Sequence, residues 1–175
     1  MFRKKLWITL FYTFVILPFA LSAQNNVTSR IYIVRGSNVV FNFSNYSRYA
    51  NGVSLERFTH LRLYFNDTIT GGIPNPSGTG WALKVRSVQN NISGDMWGNV
   101  LSLSTIQIRA HYNGSDFGPF TLTNIDQTIV TGPDLLSFNG IVEISYDCGT
   151  LPTNNLINQL PDVYLLDLEF TMSPQ

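Results

Sequence analysis

The only imidazoles in the chain are His60, in THLRLYF, and His111, in HYNGSDFG. A histidine-activated nucleophile requires a Ser or Cys and an acid converging on the ring, and no G-x-S-x-G elbow accompanies either residue. Alternation sets His60 on the outer side of its strand and His111 at the opening of a loop, so both read as surface imidazoles. A zinc site wants several closely spaced His or Cys ligands and a calcium loop a D-x-D-x-D-G run. Here Asp95, Asp116, Asp126 and Asp134 stand singly in loops, and a structural Ca²⁺ bridging two such loops is the one metal reading left open. Paired carboxylates for glycoside hydrolysis would have to come from Glu56, Glu143 or Glu169. Glu143 and Glu169 share the outward phase of strong strands, as solvated charges do. The expectation is a protein without catalytic residues, metal or cofactor.

Residues suited to contact are more prominent than residues suited to reaction. Trp97 in SGDMWGN and Tyr112 and Phe117 in HYNGSDFGPF lie in turn-rich segments. Together they form either an aromatic patch for a sugar or a protein or a plug folded back over an open end of the core. Cys148 is the single cysteine. It reads as a small buried hydrophobe continuing the face of Val142, Ile144 and Tyr146, the alternative being a thiol that pairs with another molecule.

What must position these residues is a β framework. Val39, Phe41 and Phe43 alternate in VVFNFS; Leu61, Leu63 and Phe65 form the inward set of THLRLYF, with His60, Arg62 and Tyr64 outside. Trp81, Leu83 and Val85 share one face of TGWALKVRS, so turning Trp81 outward would expose the whole row. Each large side chain in it is worth roughly 1.5 to 3 kcal/mol of burial. In NVLSLSTIQIRA the phase changes between Leu101/Leu103 and Ile106/Ile108, which predicts a β-bulge near Ser104 and Thr105. PFTLT and QTIVTG are shorter pieces. Val142, Ile144 and Tyr146 face inward in NGIVEISYDCG, with Glu143, Ser145 and Asp147 outward. In DVYLLDLEFTM, Tyr164, Leu166, Leu168, Phe170 and Met172 make the apolar side. With an opening strand RIYIV the count is eight or nine strands, and at most a turn or two of helix fits, for instance in PTNNLINQLPD. Period-two runs broken by Gly, Asn, Asp, Ser and Pro predict a single antiparallel β-sandwich, Ig-like or jelly-roll-like, over residues 24–175.

Residues 1–23 read as a secretory signal peptide: a basic head at Arg3, Lys4 and Lys5, an apolar run from Leu6 to Leu17, then Pro18 and small residues. The run is short of the roughly 20 residues of a membrane span, and no second one follows, so no transmembrane segment is expected in the mature chain. Three of the 11 basic residues leave with the leader, so 8 remain against 11 acidic ones and the net charge becomes about −3. That balance speaks against nucleic acid, whose binding needs clustered positive charge. With a lone cysteine in an oxidising compartment, stability must come from the core rather than from disulfides. Six Asn-x-Ser/Thr triplets, at Asn26, Asn42, Asn45, Asn66, Asn91 and Asn113, read as compositional, because the leader's LSAQ ending has a bacterial look.

GWALKVRS, followed by NVLSLSTIQIRA and closed by VYLLDLEFTM, resembles the secreted bacterial β-sandwich proteins of the WxL and pilus-subunit type. The resemblance departs at the end, where WxL domains carry a second Trp-x-Leu and this chain has none. It implies a secreted, periplasmic or cell-surface protein acting in adhesion or extracellular assembly, its partners other surface or pilus-like proteins or glycans. NVTSRIYIVRG then either pairs within its own domain or is donated to a neighbour. The alternative from another class is a carbohydrate-binding module using Trp97, Tyr112 and Phe117.

Overall fold

The computed structural model describes residues 26–95, 98–136 and 138–175; the leader expected at 1–23 and Trp97 lie outside them. The protein is an all-β antiparallel sandwich. Its strands are β1 (Asn26–Arg35), β2 (Val53–Ile69), β3 (Ile73–Pro74), β4 (Trp81–Ser87), β5 (Ile92–Gly94), β6 (Val100–Leu101), β7 (Ile106–Tyr112), β8 (Ser115–Thr121), β9 (Gln127–Gly132), β10 (Phe138–Cys148), β11 (Tyr164–Leu165) and β12 (Leu168–Pro174). Eight of these are longer than three residues, in line with the alternation; β3, β5, β6 and β11 are too short to leave a periodic signal.

The large sheet runs β1-β2-β10-β7-β8, with β3 added to β2, and faces a sheet of order β12-β4-β9. A small third sheet, β11-β5-β6, closes one end. The inward rows from the large sheet are Leu61, Leu63 and Phe65, then Val142, Ile144 and Tyr146, with Ile108 and Ala110. They meet Trp81, Leu83, Val85, Ile129 and Val130 in one continuous core. At one side β1 lies beside β12, where the Ser29 hydroxyl donates to the Met172 carbonyl at 3.3 Å.

Several local expectations need correction. Residues 36–44 are irregular rather than strand, yet Val39, Phe41 and Phe43 still pack on the core while Val40 is exposed. A short helix, α1 (Tyr46–Asn51), follows, capped by the Asn45 side chain accepting from Arg48 N at 3.0 Å. The phase change before Ile106 is made by a 3₁₀ turn at Leu103–Thr105 instead of a bulge, its first amide bonds taken by Ser102. Another 3₁₀ turn, Pro152–Asn154, lies in PTNNLINQLPD. His111 lies within β7 rather than in a loop. DVYLLDLEFTM is split, β11 joining the small sheet and β12 the edge of the second sheet. Consequently Leu166, Leu168 and Phe170, expected in the core, are only partly buried against it, since an edge strand has a neighbour on one side alone. Ser145 and Asp147 alternate outward as expected but are buried, not solvated.

Candidate functional site

The outward face of the large sheet carries most of the polar chemistry, and it divides into two parts. Over β2, β10 and β7 the charges are matched. Arg109 reaches Asp147 with Nε at 2.8 Å and Nη2 at 3.0 Å, and Glu56 at 2.5 Å. The Ser145 hydroxyl donates to Glu56 at 3.3 Å and accepts from the Arg57 amide at 2.8 Å. Arg57, held at φ 44, turns its guanidinium toward Glu143 at 3.5 Å and toward His111 Nδ1 at 3.3 Å. His111 Nδ1 lies 2.7 Å from Asp116, and His60 lies 3.5 Å from Glu143. Burial pushes the Asp147 carboxyl up, but hydrogen bonds from Arg109 and Ser54 and the Arg109 charge outweigh it and hold the group below its ordinary value. Asp116 is likewise held low, first by its hydrogen bond to His111. These neighbours hold Ser145 and both imidazoles in hydrogen bonds and close polar contacts. Among the described residues no group of three or more His, Cys, Asp or Glu is arranged to hold a metal ion.

Over β1 and β2 the same face is different. Arg30 stands opposite Tyr64, and Tyr32 opposite Arg62. The tyrosine rings meet edge to face, 5.6 Å apart at 86°. Neither the Arg30 nor the Arg62 side chain has an ion pair or hydrogen bond among the described residues. The four side chains form a chequerboard in a trough of about 650 Å³, bounded by Thr28, Val34, Asn66 and Asn139. The nearest outward acid along β10 is Glu143, opposite His60, already engaged by Arg57 and His60.

The aromatic candidates fall elsewhere. Trp81 is fully buried, stacked on Phe138 at 4.7 Å and edge-on to Tyr112 at 5.4 Å. Gly132 lies under the indole, where a Cβ would overlap the ring, and Gly140 gives the same room to Phe138. Tyr112 therefore belongs to this internal cluster, and burial raises its phenol above the ordinary value. Phe117, on β8, is partly buried against the core. These two residues correspond to the plug rather than to an exposed stacking surface.

A second cavity, about 420 Å³ and mainly apolar, lies between α1, the small sheet and the ends of β7 and β10. Phe41, Phe43, Ile106, Tyr146, Cys148 and Leu156 line it. Burial pushes the Cys148 thiol up to about 12, so the group is an unreactive hydrophobe at neutral pH.

The chequerboard has a signal in the sequence that alternation alone does not reveal. RIY at 30–32 and RLY at 62–64 are the same Arg-apolar-Tyr triplet, and antiparallel pairing of two such triplets sets each arginine against a tyrosine. Compared with known proteins, the chain matches no family model and no curated protein.

Proposed function

We propose that this chain is a non-enzymatic, secreted or surface-held sandwich that acts in adhesion or extracellular assembly, and that strand β1 is its means of association. The observation that carries the reading is the state of β1. It is ten residues long and terminal in its sheet, and exposed over all but one position. Val27, Ile33 and Val34 are 42%, 53% and 53% exposed. Edges of this length template another strand through their unpaired amides and carbonyls; the irregularity in β1 falls only after Ile33, so residues 26–33 keep a regular register and, among the described residues, no strand pairs with their outer edge. β1 pairs with β2 in its own domain, so the association in question adds to that pairing instead of replacing it.

The sequence of β1 favours a second copy as the added strand. Antiparallel self-pairing about a two-fold axis at Ile31 sets Arg30 opposite Tyr32 of the second copy, repeating the Arg-to-Tyr pairing already made with β2. Centring on Arg30 would oppose two like charges, which is unfavourable. The Ile31-centred register also brings Thr28 opposite Val34 and Ser29 opposite Ile33, covering the exposed isoleucine. The surface-protein resemblance of the GWALKVRS strand and the leader at 1–23 point to the same extracellular setting.

The test is cross-linking in the mature protein, residues 24–175, with Cys148→Ala as background. A mixture of Thr28→Cys and Val34→Cys chains should form a disulfide-linked pair under mild oxidation, while neither variant does so alone. Sedimentation should show a dimer that Ile33→Lys disperses. A strictly monomeric protein with no mixed cross-link refutes assembly through β1.

A further inference from the structure

We infer that the outward trough over β1 and β2 is a binding site for an acidic polysaccharide. The argument is independent of self-association, because it uses the outward side chains of the two strands and not the free edge of β1.

Three features select the ligand. Arg30 and Arg62 stand on one diagonal of the chequerboard, roughly 7 to 8 Å apart at the backbone by ordinary sheet geometry. Both lack a carboxylate among the described residues. Two such guanidiniums on a protein of net negative mature charge are unlike the other arginines of this sheet, Arg57 and Arg109 being tied to acids and Arg35 to the Arg57 and Phe58 carbonyls. A guanidinium presents a planar fork of donors that fits a carboxylate or a sulfate with two parallel hydrogen bonds.

The second feature is the other diagonal, Tyr32 and Tyr64, whose edge-to-face contact fixes both rings. Tyr32 is 49% exposed, giving an apolar ring with a polar tip of the kind that packs on the C–H face of a sugar and bonds its hydroxyls. The third is the border, where Thr28 and Asn139 add hydroxyl and amide groups. Nucleic acid finds less here, because two arginines make no extended basic track, and the apolar floor of Val34, Phe65 and Phe138 beneath the tyrosines suits the C–H faces of sugar rings. A sugar polymer with an acid group on successive residues meets both arginines while its rings lie along the tyrosines.

Affinity gel electrophoresis and calorimetry of the mature protein with polygalacturonate, dextran sulfate and neutral dextran separate the outcomes. Binding to either charged polymer and not to dextran supports the site; polygalacturonate alone identifies carboxylated sugars, and dextran sulfate alone identifies sulfated ones. Arg30→Ala/Arg62→Ala should weaken binding at least tenfold and flatten its salt dependence, with thermal stability unchanged because neither arginine side chain has a structural partner among the described residues. Tyr32→Ala should weaken it without altering the salt slope. No binding to either charged polymer, equal binding to dextran, or undiminished binding by the double variant overturns the assignment. Repeating the measurement with monomeric Ile33→Lys keeps the result separate from failure of the β1 assembly.

Discussion

The two halves of one sheet face treat charge in opposite ways. Over β2, β10 and β7, arginine, carboxylate, histidine and serine satisfy one another, and Asp147 and Ser145 are buried beneath the result. Over β1 and β2, two arginine side chains stand without partners among the described residues, beside two exposed or half-exposed tyrosines. The difference separates groups that hold the sheet together from groups that remain available to another molecule. A matched charge is expensive to disturb, because its partner is left desolvated, whereas an unmatched surface charge can be removed with little effect.

The largest effect is therefore expected at Arg109. Arg109→Ala leaves the Asp147 carboxylate, only 9% exposed, without its cation. The loss should be about 2 to 3 kcal/mol in urea denaturation, below the usual figure for a fully buried pair because Arg109 is one-third solvated. A loss under about 0.5 kcal/mol would mean that the matched half is no more structural than the other.

Next in size is an acid limb. Asp147 has a native value below its ordinary one, so its contribution is present above the unfolded value of about 3.9 and is lost as pH falls through the lowered native value. Wild-type stability should decline below about pH 4, and Arg109→Ala should flatten that decline. Parallel curves for the two proteins would remove Asp147 from the explanation.

An alkaline limb of similar or smaller size should come from the interior. Burial raises both Cys148 and Tyr146 to about 12, the Tyr146 hydroxyl being drawn back slightly by its bond to Thr59. Their contribution is complete below the unfolded values, 9.0 and 10.0, and is lost as pH rises toward 12. Cys148→Val should shift the onset upward by removing the earlier of the two; an unchanged onset would contradict it. The smallest effect belongs to the unmatched half: Arg62→Ala should change stability by less than about 0.5 kcal/mol, and a larger loss would show that the arginine has a structural role after all.

How far the sequence foretold this arrangement depended on what alternation encodes. Period two assigns a side, so the rows Leu61–Leu63–Phe65, Trp81–Leu83–Val85 and Val142–Ile144–Tyr146 could be placed, and all are buried. Side is not cover, however. Ser145 and Asp147 alternate outward as read, yet long side chains from neighbouring strands, Arg109 and Glu56, close over them. Nor does periodicity distinguish a central strand from an edge, which is why Leu166, Leu168 and Phe170 read as core and are only half covered. Val39, Phe41 and Phe43 show a third gap: alternation can persist where the chain packs on a core without joining a ladder. Loop composition suggests exposure for the aromatic candidates, whereas Tyr112 is held by contact with Trp81 and Phe138. The Arg-x-Tyr repeat was visible throughout, but it acquires meaning only when the register of β1 against β2 is known.

The seat of Trp81 has an optical consequence. Its indole N–H has no acceptor among the described residues, and aromatic rings and glycine backbone surround the ring. An excited indole that neither donates a hydrogen bond nor meets mobile dipoles emits at short wavelength. In residues 24–175 carrying Trp97→Phe, Trp81 is the one tryptophan left, and its colour becomes a gauge of whether the two sheets are still closed on each other.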